Sequence, residues 1–168
     1  GMKRMSSDSI EVRAMLSALV PKVESCREVL SAQEVGNALF GMQKMSSDSA
    51  EVRSMLSALL PKVESCEEAF GSQEVGNALY GMRGMSSDSA EVCAILSALV
   101  SKVESCTEAI SAQAVGNALY GLQQMSSDSE EIRAILSVLL RKVESCGEVL
   151  TAQTVRSAVH GLKRMDSD

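Results

Sequence analysis

One segment of this chain is written four times. AQEVGNALFG at 32–41 returns as SQEVGNALYG at 72–81 and AQAVGNALYG at 112–121, then as AQTVRSAVHG at 152–161. The residues between keep step, so the 168-residue chain is a repeat of about 40 residues, with units at 1–40, 41–80, 81–120 and 121–160 and a stub at 161–168. A unit of that length holds two helices and cannot bury its apolar face alone; it has to stack on its neighbours. The expected fold is therefore all-α: one array, a right-handed α-solenoid of four two-helix units with a C-terminal stub. The chain begins and ends at the same point of the repeat, as a segment of a longer array does.

Within a unit, the first helix is expected to start at MSSDS. Asp8, Asp48, Asp88 and Asp128 each stand three residues before Glu11, Glu51, Glu91 and Glu131, the spacing of a capping box. Val12, Met15, Leu16, Leu19, Val23 and Cys26 follow at spacings of three and four, one face of a helix. The pattern runs through Pro21 and Pro61, which predicts a kinked helix; the alternative is a break that opens a short third helix. Leu30, Phe70, Ile110 and Leu150 form an apolar plug in the connection. Ser31, Gly71, Ser111 and Thr151 then serve as N-caps of the second helix, whose apolar face is Val35, Ala38, Leu39, Met42 and Met45.

Two glycines per second helix need a reason, since each costs roughly 0.5–1 kcal/mol relative to alanine inside a helix. At about 100° per residue from Val35, Gly36 falls near 100° and Gly41 near 240°, on opposite flanks of the face away from the core. Each flank is expected to touch the second helix of a neighbouring unit, with the missing side chain letting backbones come close. In the fourth unit Arg156 replaces the first of these glycines, a charge on a flank with no further neighbour.

Between the flanks lies a polar face. It carries Gln33, Gln73, Gln113 and Gln153; Asn37, Asn77, Asn117 and Ser157; Phe40, Tyr80, Tyr120 and His160; and Lys44, Gly84, Gln124 and Arg164. Stacking turns these into ladders along a concave surface, where amides can bond a main chain and rings can stack on a ligand. The competing reading is structural: Gln tidies the helix start, Asn bonds a neighbouring loop carbonyl, and the ring covers aliphatic surface.

Composition narrows the function. The net charge of −6 argues against gripping nucleic acid through bulk charge, and aromatics at 2% leave an aliphatic core. Four of the five cysteines, Cys26, Cys66, Cys106 and Cys146, repeat with the unit rather than at metal-ligand spacing, so they read as reduced core thiols. Cys93 replaces an arginine of the first helix and is expected to be exposed. No nucleophile, base and orienter set stands out, so no enzyme, metal or cofactor is expected. No apolar run approaches the roughly 20 residues of a membrane span. Without an apolar segment of signal-peptide type, an intracellular setting, cytoplasmic or organellar, is expected.

SSDSAEVR followed by an apolar run resembles the first helix of HEAT or armadillo repeats. The segment Q-x-V-G-N-A-L-Y-G-L is similar to the Q-x-L-A-N-x-x-W-A-L motif of the octotricopeptide-like and RAP-associated organellar repeats, a resemblance that implies single-stranded RNA as a ligand. Asn37, Asn77 and Asn117 match the armadillo asparagine ladder in residue type. The chain departs from the organellar pattern in having Tyr or Phe for Trp, an acidic balance and no RAP-like domain. The expectation is a non-catalytic scaffold holding an extended peptide or protein partner, with modular RNA binding as the alternative. The binding residues would be Gln33, Asn37, Phe40, Lys44, Gln73, Asn77, Tyr80, Gln113, Asn117, Tyr120 and Gln124. Val12, Met15 and Leu19 are expected to be covered by their own unit. Ile10 would stay open and drive self-association through the N-terminal end.

Overall fold

The computed structural model describes residues 9–163 and 165. Among them are eight helices and no strand: α1 (Ile10–Ser25), α2 (Ala32–Gly41), α3 (Ala50–Ser65), α4 (Ser72–Gly81), α5 (Ala90–Ser105), α6 (Ala112–Gly121), α7 (Glu130–Glu144) and α8 (Ala152–Leu162). Each odd-numbered helix packs on the next odd one and each even-numbered helix on the next even one, which gives two rows. No described helix is long and apolar enough to cross a membrane.

The Asp-x-x-Glu capping box does not form where it can be seen. Ser49, not Asp48, is the residue before α3, and the Glu51 carboxylate accepts from Ser49 Oγ at 2.6 Å. Ser89 with Glu91 and Ser129 with Glu131 repeat this at 2.7 and 2.6 Å. Asp48 is drawn into its own turn: its N–H donates to Ser46 Oγ at 3.2 Å, and its carboxylate accepts from the same hydroxyl at 3.0 Å. A serine two residues before an aspartate competes for it locally, and the helix starts one residue later than its spacing suggests. Asp8 lies outside the described residues.

α1 and α3 run unbroken through Pro21 and Pro61, so no third helix opens there. Both prolines are exposed, as are Ser17 and Ser57, whose carbonyls lose a helical N–H donor to the prolines.

The second helices start as expected. The Glu34, Ala114 and Thr154 amides donate to the Ser31, Ser111 and Thr151 hydroxyls at 3.2, 3.1 and 3.2 Å. Ser31 N–H donates back to Glu34 Oε2 at 2.8 Å, completing a capping box. Gly71 has no hydroxyl, and only the return bond is made, from Gly71 N–H to Glu74 Oε2 at 3.1 Å. α2, α4 and α6 end at the second glycine. Met42 N–H bonds the Leu39 carbonyl and Met45 N–H bonds the Met42 carbonyl, three-residue turns that close the helix. Lys44, Gly84 and Gln124 therefore sit in a turn and not on the helix face where a continued 100° rotation would put them.

The core lies between the rows. Leu39, Leu56, Leu79, Leu96 and Leu99 are fully buried, each worth roughly 1.5–3 kcal/mol of burial, and Phe70 and Ile110 plug the connections. Cys66 and Cys106 are buried, Cys26 and Cys146 half-buried, and all five cysteines are free thiols. Cys93 is also half-buried, not exposed: its Sγ donates to the Ser87 carbonyl at 3.2 Å, the counterpart of the carbonyl that Arg53 and Arg133 reach from the same position in their units. Burial pushes its thiol above the ordinary value.

The units are joined by a repeated set of bonds. Lys62, Lys102 and Lys142 donate to the Cys26, Cys66 and Cys106 carbonyls of the unit before, capping the odd helices. Glu68, Glu108 and Glu148 accept from the Ala32, Ser72 and Ala112 amides at 3.0, 3.0 and 2.7 Å, capping the even helices. The Ser86 and Ser126 amides donate to the Ser47 and Ser87 hydroxyls, both at 2.9 Å. The lysines and glutamates of each unit thus finish the helix ends of its predecessor, and the serine bonds run the other way.

The end units lack half of this packing. Met15 is 61% and Leu19 43% exposed, whereas Met55 and Leu59, one unit on, are 5% and 7%. Both are therefore covered by a preceding unit and not by their own. Val12 is covered, and Ile10 is exposed as expected.

Candidate functional site

The even row carries the residues singled out in the sequence, and the glycines set its spacing. A Cβ built on Gly36 would meet the Glu74 backbone at 3.3 Å, and one on Gly76 the Ala114 Cα at 3.0 Å, both on the following even helix. On the other flank, a Cβ on Gly81, Gly121 or Gly161 would lie 2.0, 1.9 or 2.0 Å from the carbonyl oxygen of Leu39, Leu79 or Leu119, on the preceding even helix. No L side chain fits there. The two flanks serve opposite neighbours, and Arg156, at the first-glycine position of α8, is exposed.

That spacing brings the rings onto one another. Phe40 and Tyr80 stack at 5.6 Å between centroids and 23° between planes, and Tyr80 and Tyr120 at 5.8 Å and 23°. His160 continues the series from Tyr120 at 5.5 Å, tilted by 31°. The Arg83 guanidinium donates to Tyr80 Oη at 2.8 Å and lies 5.4 and 5.6 Å from the Tyr80 and Tyr120 ring centroids. The three aromatic rings are half-buried; Tyr80 and Tyr120 have a ring on each side, Phe40 on one.

The amides behave differently. Gln33, Asn37, Gln73 and Gln113 are exposed, Asn77 and Asn117 half-buried. Gln73, Asn77, Gln113 and Asn117 together line a cleft of about 470 Å³ between α4 and α6. Gln113 and Asn117 also line the next cleft, of about 440 Å³, with Gln153 and Ser157 of α8. Among the described residues none of these glutamines and asparagines is tied down by a hydrogen bond to the protein, so the loop carbonyl that could have claimed the asparagines does not. No ring lines either cleft. Lys44 and Gln124 are exposed in their turns and line neither.

The rim of the clefts is acidic. Glu108 belongs to the first and Glu148 to the second. At Gly71 two carboxylates converge: a Cβ there would meet Glu74 Oε2 at 2.7 Å and Glu108 Oε2 at 2.8 Å. Each has accepted one backbone N–H and keeps acceptor capacity. Sequence reasoning passed over Glu68, Glu108 and Glu148, and with them Lys62, Lys102 and Lys142. Their identity in every unit, at positions 28 and 22, was the available signal.

The arrangement defines an all-helical protein of two helix rows with a polar, acid-rimmed face along one of them. No protein-family model, curated protein or solved structure matches the chain.

Proposed function

We propose that this chain is a non-catalytic α-solenoid scaffold of four units that holds an extended, basic peptide segment against its even row, the concave side. The observation that carries the reading is the run of unpaired amides through two consecutive clefts. An extended chain presents N–H and C=O groups at regular intervals, and a glutamine or asparagine can donate to one and accept from the other. The carboxylates of Glu74, Glu108 and Glu148 favour Lys or Arg on that peptide. The same carboxylates disfavour a phosphate backbone, and Tyr80 and Tyr120, each stacked on both sides, offer no gap for a base. Single-stranded RNA thus has less support than a peptide.

The test is fluorescence polarisation of the chain against two labelled pools, unstructured peptides rich in Lys and Arg and single-stranded RNA, at low and moderate salt. Saturable binding of the peptide pool alone is expected. Saturable binding of RNA, or of neither pool at low salt, would overturn the reading.

A further inference from the structure

Arg83 stands apart from the arginines of the odd row. Arg53 and Arg133 donate to turn carbonyls, and Arg141 pairs with Glu104 at 2.9 Å. Arg83 is half-buried against two rings, and among the described residues no carboxylate pairs with it. It is held from two sides. The guanidinium donates to Tyr80 Oη at 2.8 Å, and the Arg83 carbonyl accepts from Gln123 Nε2, one unit on, at 3.2 Å. The charge is therefore in place before a ligand arrives, and it keeps its other N–H donors in the planar fork that matches a carboxylate. The fold does not require an arginine here: Gln43 and Gln123 hold the same position in the units on either side.

Arg83 closes one end of a section across the even row. At the start of α4 the Glu108 carboxylate accepts from the Ser72 amide at 3.0 Å. Gln73 and Asn77 follow one turn apart and line the first cleft. Tyr80 stands about 4.5 Å further along the axis, with the guanidinium over its ring. Along the 10 residues of α4, about 15 Å, the order is carboxylate, amides, guanidinium.

We propose that Arg83 binds a carboxylate side chain of the extended peptide, an Asp or Glu set between its basic residues; this rests on the peptide reading above. An extended backbone whose N–H and C=O groups turn down to the amides sends its side chains alternately to the two sides. A Lys or Arg that points to Glu108 leaves the next residue pointing to Arg83. The acid therefore stands beside a basic residue or three away from it, not two away. Bulk electrostatics predicts the opposite effect of an acid: the chain carries a net charge of −6, and the carboxylate rim repels a further carboxylate. A gain needs a local cation placed as Arg83 is.

The experiment titrates three labelled peptides of equal length into wild type and Arg83→Gln by fluorescence polarisation, with circular dichroism to check folding. The first has Lys at every second position and Gln between. The second has Glu in place of one central Gln. The third has the residues of the second, with that Glu exchanged with a neighbouring Lys. Wild type is expected to bind the second about fivefold or more tighter than the first and the third, and Arg83→Gln to bind it no tighter than the first. Wild type that binds the first or the third as well as the second, or a folded Arg83→Gln variant that keeps the preference, would overturn the inference and leave the peptide reading standing. Wild type that binds none of the three would overturn both.

Discussion

Two ladders run along the even row, and their side chains meet opposite fates. The rings satisfy each other: Phe40, Tyr80, Tyr120 and His160 form one stack, with Arg83 fastened to it. The amides satisfy nothing in the protein and line open clefts. Both repeat with the same period and stand on the same helices, so repetition alone says nothing about role. What separates them is whether a stacked neighbour can meet the group's needs. A ring face is met by another ring at the distance the glycines impose. An amide needs a donor and an acceptor in its own plane, and the next amide along the row does not supply them. The rings are used up by the fold, while the amides keep their hydrogen-bonding groups free for the peptide proposed above.

The largest effect should come from disturbing the spacing that creates both ladders. Gly81→Ala or Gly121→Ala drives a methyl into a backbone carbonyl that cannot turn aside, and a loss of about 3 kcal/mol or more is expected in denaturant unfolding. An unchanged midpoint would show that the row is not spaced by its glycines. Next comes the ring ladder. Tyr120→Ala removes two ring contacts at about 0.5–1.5 kcal/mol each, so a stability loss of about 1–3 kcal/mol is expected, with peptide affinity largely kept.

Gly41→Ala sharpens the comparison from the other side. The glycine stands in open space, so the substitution should stabilise the chain by about 0.5–1 kcal/mol, the opposite sign to Gly81→Ala one unit on. Asn77→Ala with Asn117→Ala removes no bond within the protein, and stability should stay within about 0.5 kcal/mol.

The smallest effect concerns pH. Serine hydroxyls hold Glu51, Glu91 and Glu131 below the ordinary value of 4.5. A carboxylate depressed in the folded state adds stability that is present above its unfolded value and is lost as pH falls through the folded one. Thermal midpoints should therefore decline as pH drops below 4.5, and Ser49→Ala with Ser129→Ala should flatten that decline.

Much of this was legible in the sequence because a repeat states its own alignment. The period placed all eight helices, and the two glycine flanks do meet two neighbours in the inner units, as Gly76 and Gly81 show, while Gly41 faces open space. The same periodicity misled where a helix stopped. Continuing the rotation past Gly41 put Lys44 and Gln124 on the ligand face, while three-residue turns at Met42 and Met45 end the helix first. The capping boxes misplaced the helix start for a related reason, a serine hydroxyl competing within two residues. Met15 and Leu19 were assigned to their own unit because an apolar spacing names a face but not the helix that covers it. The stacking of rings and the freedom of amides depend on distances between helices, which no single-chain pattern carries.

The most direct measurement is a titration of a labelled Lys- and Arg-rich peptide pool into two variants side by side, Asn77→Ala with Asn117→Ala and Tyr80→Ala with Tyr120→Ala, with melting curves for both. The account expects the amide variant to melt like wild type and lose about tenfold or more in affinity, while the ring variant melts lower and still binds when folded. Undiminished binding by the amide variant, or loss confined to a folded ring variant, would contradict it.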